Sequence, residues 1–397
     1  MTPRHRLQRH RFLIAGAGLG AVLLGFDLWL ASAVAPPHVA LPDFYVYHLA
    51  ARIGLAHGWA SIYDPSLFQP AVTPVVGRYL PYLNPPLLAW LVTPLTVVPY
   101  AVAAVLWLTL LAACLGVTCW LVAPGGVTVR LAQLIGATAL LPVFIGFEFG
   151  QASLLVVVVV AIAWWLIRRD RLLAAGLVLA LLALKPQVAL LVPFALLLAG
   201  YRRVFVGWIV ATVLLAVVSW LAVGPAGLKG VKASLQLAQG LGGPLQISIW
   251  HVVPIAVLAA AAALLALTVT LVIAYRNRGR GPEMPIAVGL LGTVLVSPYV
   301  NYYDLAALVL AAWLVLRTQP RGWQRALIPA LYLPVYLAPL WAWPAVLAEA
   351  VWLLALAQRG KVQRVGEPVK SDSVRPKAQT GRTRKQAFDG WVKNSSG

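Results

Sequence analysis

The sequence predicts an all-α polytopic membrane protein, on three observations. Of its 397 residues 61% are hydrophobic and only 11% charged, against about a quarter charged in an ordinary soluble domain. Apolar runs near the ~20 residues that a membrane-crossing helix needs recur along the chain. Lys and Arg number 31 against 11 Asp and Glu, a net charge of +20, but the bases fall between the apolar runs. A nucleic-acid binder would gather them on one polar face, so a nucleic-acid partner is excluded along with a soluble fold.

Orientation follows from the bases, which stay on the cytoplasmic side of short loops. Residues 1–11 form a basic cytoplasmic N-terminus, and residues 12–35 read as an uncleaved first span. This run is long for a signal peptide, contains Asp27, and is followed by Pro36 where cleavage would occur. Further basic clusters lie at Arg168 to Arg171, Arg202-Arg203, Arg276 to Arg280, Arg317 to Arg325 and from Arg359 onward. An even number of crossings must separate neighbouring clusters, yet five apolar runs lie between Arg11 and Arg168. Residues 83–99, short and carrying Pro85, Pro86, Pro94 and Pro99, are therefore assigned as a re-entrant or interfacial segment. Hairpins at 172–200, 204–274 with an outer loop at 224–250, 284–316 and 326–357 bring the expected total to 12 spans. Both termini are then cytoplasmic, and residues 12–358 form one transmembrane domain.

On this topology 26 of the 31 bases are cytoplasmic, and Lys185 is the one left inside a hairpin. Residues 172–200 are too few for two full crossings, so the turn at Lys185-Pro186-Gln187 should lie below the outer surface. A charge held there without a partner costs about 3 kcal/mol on translocon scales. Residues 359–397, with ten bases and three acids among many Ser, Thr and Gly, read as a disordered cytoplasmic tail. Cys114 and Cys119 fall in a single apolar run, which excludes a disulfide framework and a zinc site.

Polar residues collect on the outer face around the long first loop, 36–82. Residues 42–52 read as an amphipathic helix on the membrane surface, with Phe44, His48 or Tyr47, Ala51 and Leu55 along one side. Asp43 at its start has two readings: an N-cap, or a general base at the membrane boundary. Lys185 is either the ion-pair partner of a buried acid, Asp27 or Glu349, or a ligand for a lipid phosphate. Asp304, after Tyr302-Tyr303, is a helix cap or part of a sugar-binding cluster. Gln151, beside Glu148 and Gly150, and Asp64, in Tyr63-Asp64-Pro65, lie at turns. His48 and His57 have no neighbours at metal-ligand spacing, so no metal is expected. An enzyme acting on a lipid-linked substrate uses a base, a phosphate anchor and a groove at membrane height. A transporter or flippase would need polar groups in mid-membrane, where Asp27 and Glu349 are the acids available.

These residues carry a resemblance. Leu41-Pro42-Asp43-Phe44-Tyr45 through Arg52, closing with Ile62-Tyr63-Asp64-Pro65, resembles the first outer loop of glycosyltransferase family 87. Pro81-Tyr82-Leu83-Asn84-Pro85-Pro86 is similar to its proline-rich segment, although Asn84 departs from the usual Tyr-Pro-Pro core. Gly150-Gln151-Ala152-Ser153, then Ala175-Gly176 through Leu184-Lys185-Pro186, resembles its central stretch, and Ser297-Pro298-Tyr299 with Tyr303-Asp304-Leu305 its late motif. The resemblance, over residues 40 to 315, implies a C-type architecture with an extracytoplasmic first loop in the plasma (inner) membrane. It implies an inverting hexosyltransferase that takes its sugar, often mannose, from a polyprenyl-phosphate donor and passes it to a glycolipid or glycan acceptor. Asp43 matches the family's catalytic acid and Lys185 its phosphate-binding lysine. Gln151 and Asp304 carry over as positions near the site, and Asp64 and Tyr303, in the matching motifs, are further candidates for substrate binding. No cofactor or metal is implied, and the partners are the lipid-linked donor, the acceptor and membrane lipid.

Overall fold

The computed structural model describes residues 18–29, 39–240 and 246–358. The basic N-terminus, much of the expected first span and the expected tail at 359–397 lie outside the described residues. In chain order the helices are α1 (Gly18–Trp29), α2 (Pro42–His57), α3 (Pro65–Val76), α4 (Pro86–Val92), α5 (Tyr100–Val122), α6 (Val127–Thr138), α7 (Leu141–Phe149), α8 (Ser153–Arg168) and α9 (Leu172–Leu179). There follow α10 (Leu191–Leu198), α11 (Arg202–Gly240), α12 (Ile249–Val252), α13 (Ala256–Arg276), α14 (Glu283–Val296), α15 (Ala307–Arg317), α16 (Gly322–Ala330), α17 (Tyr332–Tyr336) and α18 (Ala342–Ala357). Among the described residues the fold is all-helical, with one isolated bridge between Gln246 and Asn301.

Among the described residues three helices are long and apolar enough to cross a membrane: Tyr100–Val122, Arg202–Leu237 and Ala256–Arg276. A fourth is counted if α6 and α7, bent by 67° at their junction, form one span. The other apolar runs are built from shorter helices, such as α8 and α18 at 16 residues each. Sixteen residues give about 24 Å of helix, less than the ~30 Å of a bilayer core. Residues 83–99 contain only α4 and a 3-10 turn at Thr93–Val97, because prolines interrupt the hydrogen-bond ladder.

Two segments differ from the sequence reading. Residues 224–250 are helical as far as Gly240, with the break confined to Gly224 (φ 61) ahead of Pro225, and Ser234 Oγ beyond it donates to the Tyr63 carbonyl of the first loop at 3.4 Å. The helix expected at 42–52 forms and runs on to His57, but it does not bury one side only. Phe44, Val46, Tyr47, His48, Leu49, Ala50 and Ala51 are all buried, because α4 and the 3-10 turns at Trp59–Tyr63 and Thr93–Val97 pack around it. It is therefore clasped in protein, and Leu55, expected on its buried side, is 58% exposed.

The charge pattern has a structural counterpart. At the C-terminal end of α5, Arg317 Nε donates to the Val122 carbonyl at 2.6 Å and its guanidinium lies 4.7 Å from the Trp164 ring. Arg130 Nε donates to the Ala123 carbonyl, and Arg168 pairs with Glu283 at 3.6 Å. Bases from two of the clusters, with the lone Arg130, thus gather at one end of the bundle. At the other end of α5, Tyr100 stacks on Phe44 of α2, ring centroids 5.8 Å apart. Its 23 residues separate the two ends by roughly 33 Å at 1.5 Å per residue, close to bilayer thickness.

Gly150 fixes the first loop to the bundle. It ends α7 in the left-handed conformation, φ 71 and ψ 37, and the Gln151 amide returns to the Gly146 carbonyl at 2.8 Å as in a Schellman closure. Trp107 Nε1 holds the Gly150 carbonyl at 2.8 Å, and Phe44 stacks on Trp107 at 5.0 Å. A Cβ on Gly150 would stand 2.7 Å from that of Phe44. Gly150→Ala is expected to lose about 1–2 kcal/mol from the left-handed conformation alone, and more from the clash with α2. The thermal midpoint of the detergent-solubilised protein checks this, and an unchanged midpoint would contradict it.

Candidate functional site

Four stretches far apart in sequence deliver one polar cluster. Asp43 comes from the first turn of α2, whose N-cap is Leu41 in the left-handed conformation (φ 57), with Pro42 just inside. The cap reading of Asp43 is thereby corrected: its carboxylate accepts a hydrogen bond from Gln151 Nε2. The α7–α8 turn supplies Gln151, and Ser153 begins α8.

Lys185 sits where the 172–200 run breaks. The 3-10 turn Ala180–Leu184 ends at Lys185, with φ −157 and ψ 77, and another begins at Pro186. Proline keeps the residue before it out of the helical region, so the chain unwinds here and releases the side chain inward. The preceding helix is placed by close contact with α11: a Cβ on Gly207 would lie 2.7 Å from the Leu173 carbonyl. Small residues allow such approach between apolar helices.

Asp304 lies in the 3-10 turn Tyr302–Ala306 and has no exposed surface. Its Oδ2 accepts from the Asn301 amide at 3.1 Å, completing a capping box, so the cap reading holds for one oxygen. The other, Oδ1, pairs with Lys185 Nζ at 2.6 Å and accepts from Ser153 Oγ at 2.7 Å. Lys185 therefore has a buried acid as partner, but the acid is Asp304. Asp27 accepts instead from the Tyr336 hydroxyl, and the Glu349 carboxyl is unpaired among the described residues.

The remaining ammonium protons are also placed. Lys185 Nζ donates to Gln151 Oε1 at 2.7 Å and lies 3.0 Å from Ser153 Oγ, with the Tyr303 ring centroid 4.4 Å away. Tyr47 OH donates to the same Gln151 oxygen at 2.9 Å. Asn301 Nδ2 donates to Tyr303 OH at 2.6 Å and to Tyr299 OH at 3.3 Å. A continuous polar path thus runs from Asp304 through Lys185 and Gln151 to Asp43.

Asp43 is densely surrounded by protein but keeps partial exposure. Burial pushes its carboxyl above the ordinary carboxylate value, against the opposing effects of the Gln151 hydrogen bond and the charges of Lys185 and Arg78. This combination of reachability and raised basicity suits proton abstraction from a hydroxyl group. A lysine beside it, held in low dielectric, suits an anion.

Five of the six residues singled out in the sequence, Asp43, Gln151, Lys185, Tyr303 and Asp304, meet here. Asp64 does not: its carboxylate caps α3, accepting from the Ser66 amide at 2.9 Å and from Ser66 Oγ at 2.7 Å. Sequence reasoning passed over Ser153, Tyr47 and Arg78 as parts of the site. Ser153 looks like any serine opening a helix, and Tyr47 like part of an apolar face. Arg78 is an exposed base of the first loop whose field reaches Asp43.

The model of glycosyltransferase family 87 matches residues 82–298 of the chain. No curated protein and no solved structure matches. Gln151, Ser153 and Lys185 fall within the matched residues, whereas Asp43 and Asp304 lie outside and are joined to them by the contacts above.

Removing one partner of the Lys185–Asp304 pair strands a charge in a site where both side chains are nearly inaccessible. Lys185→Met and Asp304→Asn should each cost about 3–5 kcal/mol. The double variant should recover at least half of the summed loss, since neither charge then remains. Equilibrium unfolding in detergent measures the cycle, and strict additivity would show that the pair is not coupled.

Proposed function

Because the chain belongs to glycosyltransferase family 87, we propose that it moves a hexosyl unit, in the first instance mannose, from a polyprenyl-phosphate donor to a lipid or glycan acceptor. The reaction takes place on the extracytoplasmic face of the plasma membrane. The observation that carries this reading is the buried Lys185, linked through a single amide, Gln151, to the carboxylate of Asp43.

In this reading the donor phosphate lies against Lys185. The acceptor hydroxyl lies at Asp43. As the acceptor oxygen forms its bond to the anomeric carbon, Asp43 takes the hydroxyl proton and the bond from that carbon to the phosphate oxygen breaks. The electron pair leaves with the phosphate, where Lys185 stabilises it. Attack and departure on opposite faces of the sugar invert the anomeric centre. A monophosphate leaving group requires no metal.

Gln151 has a positioning part. Its oxygen takes hydrogen bonds from Lys185 and Tyr47 while its amide donates to Asp43, so base and anion site are held in fixed relation. Asp304 neutralises Lys185 in the absence of donor, and the phosphate competes with it for the ammonium. Tyr303, Tyr299 and Asn301, with hydroxyl and amide groups near both acids, are positioned to read sugar hydroxyls. Arg78, exposed on the first loop, adds positive potential for an incoming anion.

The orientation rests on charge. The bases Arg130, Arg168 and Arg317 gather at the end of the bundle remote from Asp43, and the positive-inside rule makes that end cytoplasmic. The full arrangement in this reading has about 12 crossings, with residues 83–99 re-entrant and both termini inside.

Asp43→Asn keeps the shape but removes the basicity, and should lower sugar transfer by about 10²–10⁴-fold. The readout is transfer from a synthetic polyprenyl-phosphate mannose in proteoliposomes; near wild-type turnover by a folded variant would remove Asp43 as the base. The reaction needs the ionised carboxylate, so kcat/KM should fall as pH falls through an apparent pKa above about 4, the ordinary carboxylate value. For orientation, both native cysteines are buried, leaving low background for labelling. A Gln187→Cys variant should react with a membrane-impermeant maleimide from the outer side of spheroplasts and not from the inner side of inverted vesicles.

A further inference from the structure

A second site lies elsewhere in the bundle. A partly open cavity of about 350 Å³ lies between α6, α15, the α16–α17 region and α18, within the range of pockets that hold small organic ligands. Its wall is mostly aliphatic, including Leu140, Leu308 and Ala312. Both Leu308 and Leu316 of α15 face it, so it follows that helix for roughly 12 Å. None of Asp43, Gln151, Ser153, Lys185 or Asp304 lines it.

What distinguishes this cavity is its polar atoms. Glu349, 2% exposed, and Trp352, 4% exposed, line it one helical turn apart on α18, a spacing that puts both on one helix face. Both carboxyl oxygens of Glu349 and the indole Nε1 of Trp352 are buried with no hydrogen-bond partner among the described residues. Gln133 lines the same space: its Nε2 is held by the Pro124 carbonyl at 2.8 Å and the Val129 carbonyl at 3.3 Å, while its Oε1 is buried and unpaired. Buried polar groups are nearly always paired. Four such atoms around one apolar space mark missing ligand contacts.

We propose that this cavity binds a lipid alcohol, an apolar chain or ring system ending in a hydroxyl group, with the hydroxyl between Gln133, Glu349 and Trp352. The donor set selects this head group. Trp352 Nε1 can only donate and Gln133 Oε1 can only accept, so the ligand must do both. A hydroxyl does. An ammonium has no lone pair for the indole, and a carboxylate or phosphate offers Gln133 no proton. The wall sets the rest of the molecule as hydrocarbon.

The test uses the full-length protein in detergent with a diazirine-bearing 1-decanol as photoprobe, and the methyl ether and the primary amine of the same chain for comparison. The alcohol should label residues 307–317 and 342–357 saturably and be displaced by unlabelled 1-decanol. The ether should bind about tenfold more weakly, the loss of one or two hydrogen bonds. Glu349→Leu should weaken labelling to a similar degree and Glu349→Gln should largely retain it, while Ala312→Trp, which fills the cavity, should abolish it. Equal labelling by the ether, stronger labelling by the amine, failure to saturate, or indifference to Glu349→Leu would each overturn the proposal. If Ala312→Trp does not fold, the alcohol and ether comparison on the unaltered protein still decides. Photolabelling is read without turnover, so its outcome is independent of the sugar-transfer reading.

Discussion

The buried pair of Lys185 and Asp304 is the constraint around which the outer end of the bundle is arranged. With side chains 4% and 0% accessible, neither charge is tolerated without the other and further hydrogen bonds. Those bonds dictate the neighbours. Ser153 must open α8 with its hydroxyl inward, Gln151 must turn its oxygen to the ammonium, and Asn301 must give its amide to the second carboxylate oxygen. Once the Gln151 oxygen is committed to Lys185 and Tyr47, only its amide protons are left for Asp43. The position of Asp43 is therefore a consequence of how a distant lysine is satisfied.

Apolar packing makes the same arrangement rigid. Gly150 permits the sharp turn from α7 to α8, and Phe44 and Trp107 close over it. The loop that carries Asp43 is thereby tied to the turn that carries Gln151 by both a stack and a hydrogen bond. The broken helix before Pro186 and its close contact with α11 through small residues set the height of Lys185. A polar network with every member paired is well suited to preorganisation, because its groups need little rearrangement as charge develops during reaction.

The two buried carboxyl groups away from this network contrast with it. Asp27 has the Tyr336 hydroxyl on one oxygen, whereas Glu349 has nothing on either. Within one apolar bundle, the presence of a partner divides structural acids from acids that point to a ligand. Glu349 lines the cavity beside α6 and α15, and Asp27 does not line it.

Several features were legible in the sequence. Composition and the recurrence of apolar runs determined an all-helical protein with membrane-crossing helices. Lys185 stood out because a permanent charge among apolar residues is expensive wherever the chain folds. What composition could not supply was pairing: the sequence offered Asp27 or Glu349 as the partner of Lys185, and only the tertiary structure, which sets the heights of the helix breaks, selected Asp304. It likewise made Asp64 a cap, freed Asp43 from capping, and continued a helix to Gly240 within the segment read as the second outer loop. Hydropathy reports the average solvent of a segment, a property of the residues themselves. The partner of one polar atom depends on directions and distances of a few ångströms between segments more than a hundred residues apart, and only packing fixes those.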